Sequence, residues 1–124
     1  MAAPRTMKSM PPKLRERDIE IQIRRALGRL DGVVIWTNET GVAEVRGQKI
    51  TYGLAVGSSD LIGIANGRFI ALEVKTARGR LSDDQRMFLN LVNARGGFGA
   101  VSRSPEEALA AIRMAKDGIR VPVI

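Results

Sequence analysis

Residues 57–85 read GSSDLIGIANGRFIALEVKTARGRLSDDQ. Two apolar runs, residues 61–65 and 68–76, flank Asn66-Gly67, the dipeptide that most favours a two-residue hairpin turn. Asp60 opens the first run, and Glu73 and Lys75 sit near the end of the second. Folding the hairpin therefore returns Glu73 to the end of the sheet from which Asp60 starts. Side chains alternate along a strand, so Glu73 and Lys75 share one face while Val74 points into the core. Two carboxylates and an ammonium are thus gathered at one end of a sheet.

The flanking sequence supplies the layers that such a sheet needs. Over residues 13–30, Ile19, Ile23, Ala26, Leu27 and Leu30 fall on one helical stripe. Glu16 projects onto that same stripe and Glu20 lies on its flank; a carboxylate so placed needs solvent at the helix start or a partner. Residues 33–37 are β-rich, and residues 38–47 read as a polar loop with room for a short hairpin reaching to Tyr52. Ser82 followed by Gln85 has capping-box spacing and starts a helix to about Ala94, with Met87, Phe88, Leu91 and Val92 expected inward. Gly96-Gly97 stops it, residues 98–102 form a strand, and Ser104-Pro105 starts a last helix ending near Gly118.

The predicted order is helix, three strands, helix, strand, helix: an α/β fold with a central mixed sheet flanked by helices. The connection from the third strand through the Ser82 helix to the last strand is expected to make a parallel pair. Residues 1–12, with Pro4, Pro11, Pro12, Arg5 and Lys8, read as a flexible basic arm, and residues 13–124 as a single domain.

Composition narrows the chemistry. The 124 residues contain neither cysteine nor histidine, which excludes disulfides, zinc fingers and thiol or histidine catalysis. Acid–base or metal chemistry falls to carboxylates, lysine and water, and oxygen ligands suit hard cations such as Mg²⁺ or Mn²⁺. Twenty Lys+Arg against 13 Asp+Glu leave a net charge of +7, which favours a polyanionic partner, most often nucleic acid. No apolar run is long enough to span a membrane and no signal-peptide core is present, so a cytoplasmic location is expected.

Phosphodiester hydrolysis needs a cation at the phosphoryl oxygens, a positioned water and a neutralised leaving oxygen. Asp60 and Glu73 are placed to hold one or two Mg²⁺ ions, with the Val74 carbonyl able to join them where the strand ends. Lys75 can then orient the attacking water or stabilise the phosphate. Glu-x-Lys alone is a common pattern on a solvated strand; Asp, an apolar hairpin and Glu-x-Lys together in a basic chain are far more specific. Gly57 adds a position where backbone can approach a ligand closely.

These residues resemble the VRR-NUC branch of the PD-(D/E)XK nucleases over about residues 16–110, and are similar to the archaeal Holliday-junction resolvases that share its core. Asp60, Glu73 and Lys75 match the family's acid, spacer, Glu-x-Lys motif. Glu16, with Ile19 and Ile23 three and seven residues on, matches the helix glutamate, Glu20 being the competing choice. Gln85 matches a glutamine of the family motif that bonds substrate or water, with the capping-box role as its alternative. Ser59 stands where many relatives carry proline, a departure that removes no ligand.

The resemblance implies a restriction-endonuclease-like fold and a Mg²⁺- or Mn²⁺-dependent DNA endonuclease. Branched DNA such as four-way junctions or flaps is the expected substrate, cut by a homodimer, and a phage origin is implied. Its catalytic residues would be Glu16, Asp60, Glu73, Lys75 and Gln85, with Asp60, Glu73 and Val74 as metal ligands. Asn38, Arg46, Lys49, Arg68, Arg78 and Arg80 are candidate DNA contacts, sequence-independent in kind. The alternative reading is a non-catalytic DNA-binding protein that retains the fold.

Overall fold

The structure, a computed structural model, describes residues 15–53 and 57–121. The basic arm read at residues 1–12 lies outside them. The elements are α1 (Glu16–Leu27), β1 (Val33–Thr37), β2 (Gly41–Val45), β3 (Gln48–Tyr52), β4 (Leu61–Ala65), β5 (Arg68–Val74), α2 (Asp83–Ala94), β6 (Phe98–Ser102) and α3 (Pro105–Lys116). Four strands form a mixed sheet in the order β1-β4-β5-β6, antiparallel except for the parallel β5–β6 pair. The expected restriction-endonuclease-like layering is present. The polar segment forms the short hairpin to Tyr52 for which it had room: β2–β3, a separate two-stranded sheet inserted between β1 and β4.

The hairpin geometry follows from its turns. Asn66 (φ 48) and Gly67 (φ 83) are both left-handed, as the tight turn matching strand twist requires. Arg46 (φ 51) and Gly47 (φ 78) make the same turn in the inserted hairpin, with arginine in the position that asparagine usually fills.

From Ile70 to Val74, β5 is buried on both faces. Ile70, Leu72 and Val74 join Leu61 and Ala65 in the larger core, which α1 closes with Ile19, Ile23 and Leu27 and α3 with Ala108, Ala111, Ile112 and Ala115. Each fully buried Ile or Leu contributes about 1.5–3 kcal/mol. On the other face Ala71 and Ile62 meet Leu89 and Val92 of α2 in a smaller core.

α2 departs from the expected inward face. Met87 and Leu91 are exposed, at 68% and 51%, while Leu89, Val92 and Asn93 are buried. The reason is polar. Asn93 donates from Nδ2 to the Gly99 carbonyl at 3.0 Å and accepts from the Gly99 N–H at 2.7 Å, serving as a strand partner at the edge of β6. Satisfying that buried backbone pair turns the helix so that Leu89 and Asn93, one turn apart, face the sheet.

Arg68 is likewise spent on structure. Its guanidinium donates to the carbonyls of Gly96, Gly97 and Ala115 at 3.0–3.1 Å and lies 5.3 Å over the Phe98 ring. It ties the ends of α2 and α3 together and is not available as a DNA contact. No helix among the described residues is long and apolar enough to cross a membrane.

β4 approaches β1 so closely that Gly63 has no room for a side chain: a Cβ there would lie 2.0 Å from the Val34 carbonyl oxygen. Gly63→Ala should therefore destabilise the protein by about 3 kcal/mol or more in urea unfolding. Gly67→Ala, strained in φ but in open space, should cost about 1–2 kcal/mol. Equal losses would show that the β1–β4 approach is not tight.

Candidate active site

The ends of β1, β4 and β5 meet beside the first residues of α2. β4 pairs with β5 only as far as Leu61↔Leu72, so Glu73 and Val74 extend past the ladder. Asp60 fills that gap: its Oδ2 accepts the Val74 N–H at 3.0 Å. N–H and C=O of one residue in an extended strand point the same way, so the Val74 carbonyl faces the Asp60 side. The Val74 side chain is buried in the larger core, as its alternation with Glu73 requires.

Asp60 is itself held from β1. The Asn38 N–H donates to the Asp60 carbonyl at 2.8 Å, and Asn38 Nδ2 donates to Ser58 Oγ at 2.8 Å and to the Ser59 carbonyl at 2.9 Å. Asn38, expected at a phosphate, is thus the residue that shapes the turn before Asp60. Gly57 (φ 86) packs against the backbone of Asp84, where a Cβ would lie 2.5 Å from its carbonyl, so its close approach is to α2 and not to a ligand.

Glu73 is 2% exposed, a carboxyl almost wholly inside the protein. Gln85 Nε2 donates to its Oε1 at 3.2 Å, while Oε2 is buried without a donor. Burial first, then the charge of Asp60 and a side-chain hydrogen bond with it, push the Glu73 pKa up to about 8; Lys75 opposes the rise and Glu16 adds to it. Holding a proton relieves Glu73 of both its burial cost and its repulsion from Asp60.

Gln85 takes the capping-box role and adds a bond to Glu73. Its Oε1 accepts the Ser82 N–H at 2.9 Å and its backbone N–H donates to Ser82 Oγ at 3.2 Å, closing the capping box. The other end of the same amide reaches Glu73. The start of α2 is thereby locked to the acidic pair.

In front of Asp60 and Val74 lies a cleft of about 520 Å³, walled on the other side by Glu16, Arg17, Glu20 and Arg24 of α1. Both candidate helix acids face it. Glu20 is half-buried, and its pKa is raised by burial and by Asp60, against the pull of Arg24 and Arg17. Glu16 is exposed at the first turn. Among the described residues no three Asp or Glu side chains are grouped closely enough for one ion, so the helix acids stand apart from the Asp60–Glu73 pair. Lys75, half-buried, follows Glu73 beyond the end of β5.

The VRR-NUC domain model matches residues 22–106. The chain belongs to the VRR-NUC family. This is a nuclease domain family of the PD-(D/E)XK superfamily, so the protein is a nuclease domain with DNA as its partner. The match spans Asp60, Glu73, Val74, Lys75 and Gln85, while Glu16 and Glu20 precede it. A comparison with curated proteins finds no match.

Arg17 and Arg24 are VRR-NUC cleft residues that sequence reasoning passed over. The legible signal was their spacing: Arg24 lies one helical turn after Glu20, and Arg17 three residues before it.

The raised Glu73 pKa has a thermodynamic consequence. Between about 4.5 and about 8 the folded protein keeps a proton that the unfolded chain has released, so unfolding releases a proton and higher pH favours it. In metal-free buffer, wild type should lose stability relative to Glu73→Gln across that window and no further above it. Urea midpoints measured over a pH series check this, and parallel curves would mean that Glu73 ionises normally.

Proposed function

We propose that this VRR-NUC domain is a Mg²⁺- or Mn²⁺-dependent endonuclease that hydrolyses phosphodiester bonds in branched DNA, four-way junctions or flaps. The observation that carries the reading is the Asp60–Glu73 pair, two carboxyls forced together with Glu73 Oε2 buried and unpartnered. That donor set fits a hard cation: two carboxylates and the Val74 carbonyl, with water completing the shell as Mg²⁺ prefers. When bound, the cation would neutralise charge on the phosphoryl oxygens and acidify a water.

The residues divide the remaining work. Gln85 fixes the rotation of the Glu73 carboxyl through its 3.2 Å bond. Lys75 supplies donors to the attacking water or to a non-bridging phosphate oxygen. A helix acid across the cleft, Glu16 or Glu20, would orient water; Glu20 is the more buried of the two, and Asp60 helps to raise its pKa. Arg78 and Arg80 in the turn after Lys75, and Arg46 and Lys49 on the inserted hairpin, are exposed or nearly so and suit phosphate contacts that weaken with salt.

Purified protein is expected to cut labelled four-way and flap DNA faster than linear duplex with Mg²⁺ or Mn²⁺, and to cut nothing in EDTA. Asp60→Asn should slow cleavage by roughly 100-fold or more. Separate Glu16→Gln and Glu20→Gln variants show which helix acid acts. Binding without cleavage under every metal condition would instead favour a DNA-binding protein that retains the fold.

A homodimer suits this reading, because α2 leaves part of its sheet face bare. Val34, Ile64 and Phe69 lie in one row across β1, β4 and β5, with Trp36 beside them, and all are exposed by 39–59%. A second copy is the occupant that would bring two sites to one junction. Sedimentation at micromolar concentration should give a dimer for wild type and a folded monomer for Ile64→Glu; a monomeric wild type would count against paired sites.

A further inference from the structure

We propose that Arg103, outside the acidic site, is a positioning residue that sets the place of Lys75 by clamping the turn behind it; this rests on the reading of Lys75 as the group that acts on the phosphate. β5 ends at Val74, and the Lys75 N–H makes one more sheet-like bond, to the Ser102 carbonyl at 3.2 Å. The chain then turns, with the Gly79 N–H donating to the Thr76 carbonyl at 3.1 Å. Arg103 Nη1 donates to both ends of this turn, to the Thr76 carbonyl at 2.5 Å and the Gly79 carbonyl at 2.7 Å.

The clamp stands on firm ground. The Arg103 N–H donates to Glu107 Oε1 at 3.0 Å, and Glu107 sits in the first turn of α3, capped by Ser104 Oγ at 3.1 Å. The turn in its place touches Lys75 directly. A Cβ at Gly79 would come within 3.3 Å of Lys75 Cδ and 3.4 Å of its Cβ, so the lysine stem lies across that glycine. Gly79 is not among the glycines with positive φ, so what it provides is clearance for the stem rather than a special backbone conformation. Ser102 thus fixes the backbone of Lys75, and Arg103 fixes the surface on which its side chain rests. A half-buried guanidinium bonded to two protein carbonyls is placed as a brace, not as a phosphate contact.

Four proteins decide the matter: wild type, Arg103→Gln, Lys75→Ala and the double variant. Each is followed by single-turnover cleavage, by DNA affinity and by thermal melting. Arg103→Gln should slow cleavage about 10- to 100-fold with little change in affinity or melting. In the Lys75→Ala background the same change should cost nothing further, because the group it positions is gone. Equal slowing in both backgrounds, or no slowing in either, would overturn the proposal. A second readout needs no activity: the signal of ¹³C-methylated Lys75, assigned by its loss in Lys75→Arg, should shift or broaden in Arg103→Gln. If wild type cuts no DNA, the nuclease reading fails by itself, and the lysine signal alone decides whether Arg103 holds Lys75: a shift upholds the clamp and an unchanged signal refutes it.

Discussion

The buried contact between Glu73 and Asp60 is the constraint around which the domain is arranged. A carboxyl that is 2% exposed next to a second carboxylate is unfavourable unless it keeps a proton or meets a cation. It can be held there only by a strand buried on both faces, and β5 is that strand, with α1 and α3 against one side and α2 against the other. The end of the ladder at Leu61↔Leu72 opens the gap that Asp60 enters, and Gln85 closes it from α2. The same two acids that cost stability when crowded together are the donors of the metal site proposed above.

A second theme is how the fold treats backbone groups where its ladders stop. Polar side chains from other elements or turns take over. Asn93 replaces a missing strand beside Gly99, Asn38 secures the Ser58–Asp60 turn, Arg68 collects three carbonyls at the ends of α2 and α3, and Arg103 spans the turn after Lys75. Charge-assisted bonds to carbonyls are among the stronger ones a protein makes, so these arginines add rigidity as well as positive charge. They also explain why a count of basic residues overstates the surface open to DNA.

Much of the architecture was legible because it rests on local rules. Asn66-Gly67 announces its turn, Ser82 and Ser104 announce their helices, and the strands at 33–37, 61–65 and 98–102 fall where β-rich runs predict. The family, too, was legible from Asp60, Glu73 and Lys75 at their spacing, and the domain match spans those positions. The face of α2 was not. Met87 and Leu91 have the right spacing for a buried stripe, but the hydrogen-bonding demand of Gly99 outweighs it, and that demand exists only once β6 lies beside the helix.

The sequence by itself determined the order of elements, the hairpin that carries Asp60 and Glu73 to one end of the sheet, and a chemistry limited to oxygen ligands and lysine. Those follow from neighbours a few residues apart and from composition. Only the tertiary structure decided which side chains are spent on the fold and which face the cleft. It withdrew Arg68 and Asn38 from the DNA surface, gave Gln85 two roles at once, and set both Glu16 and Glu20 across from Asp60. The reason is that burial, pKa and hydrogen-bond partnership depend on what the rest of the chain brings alongside.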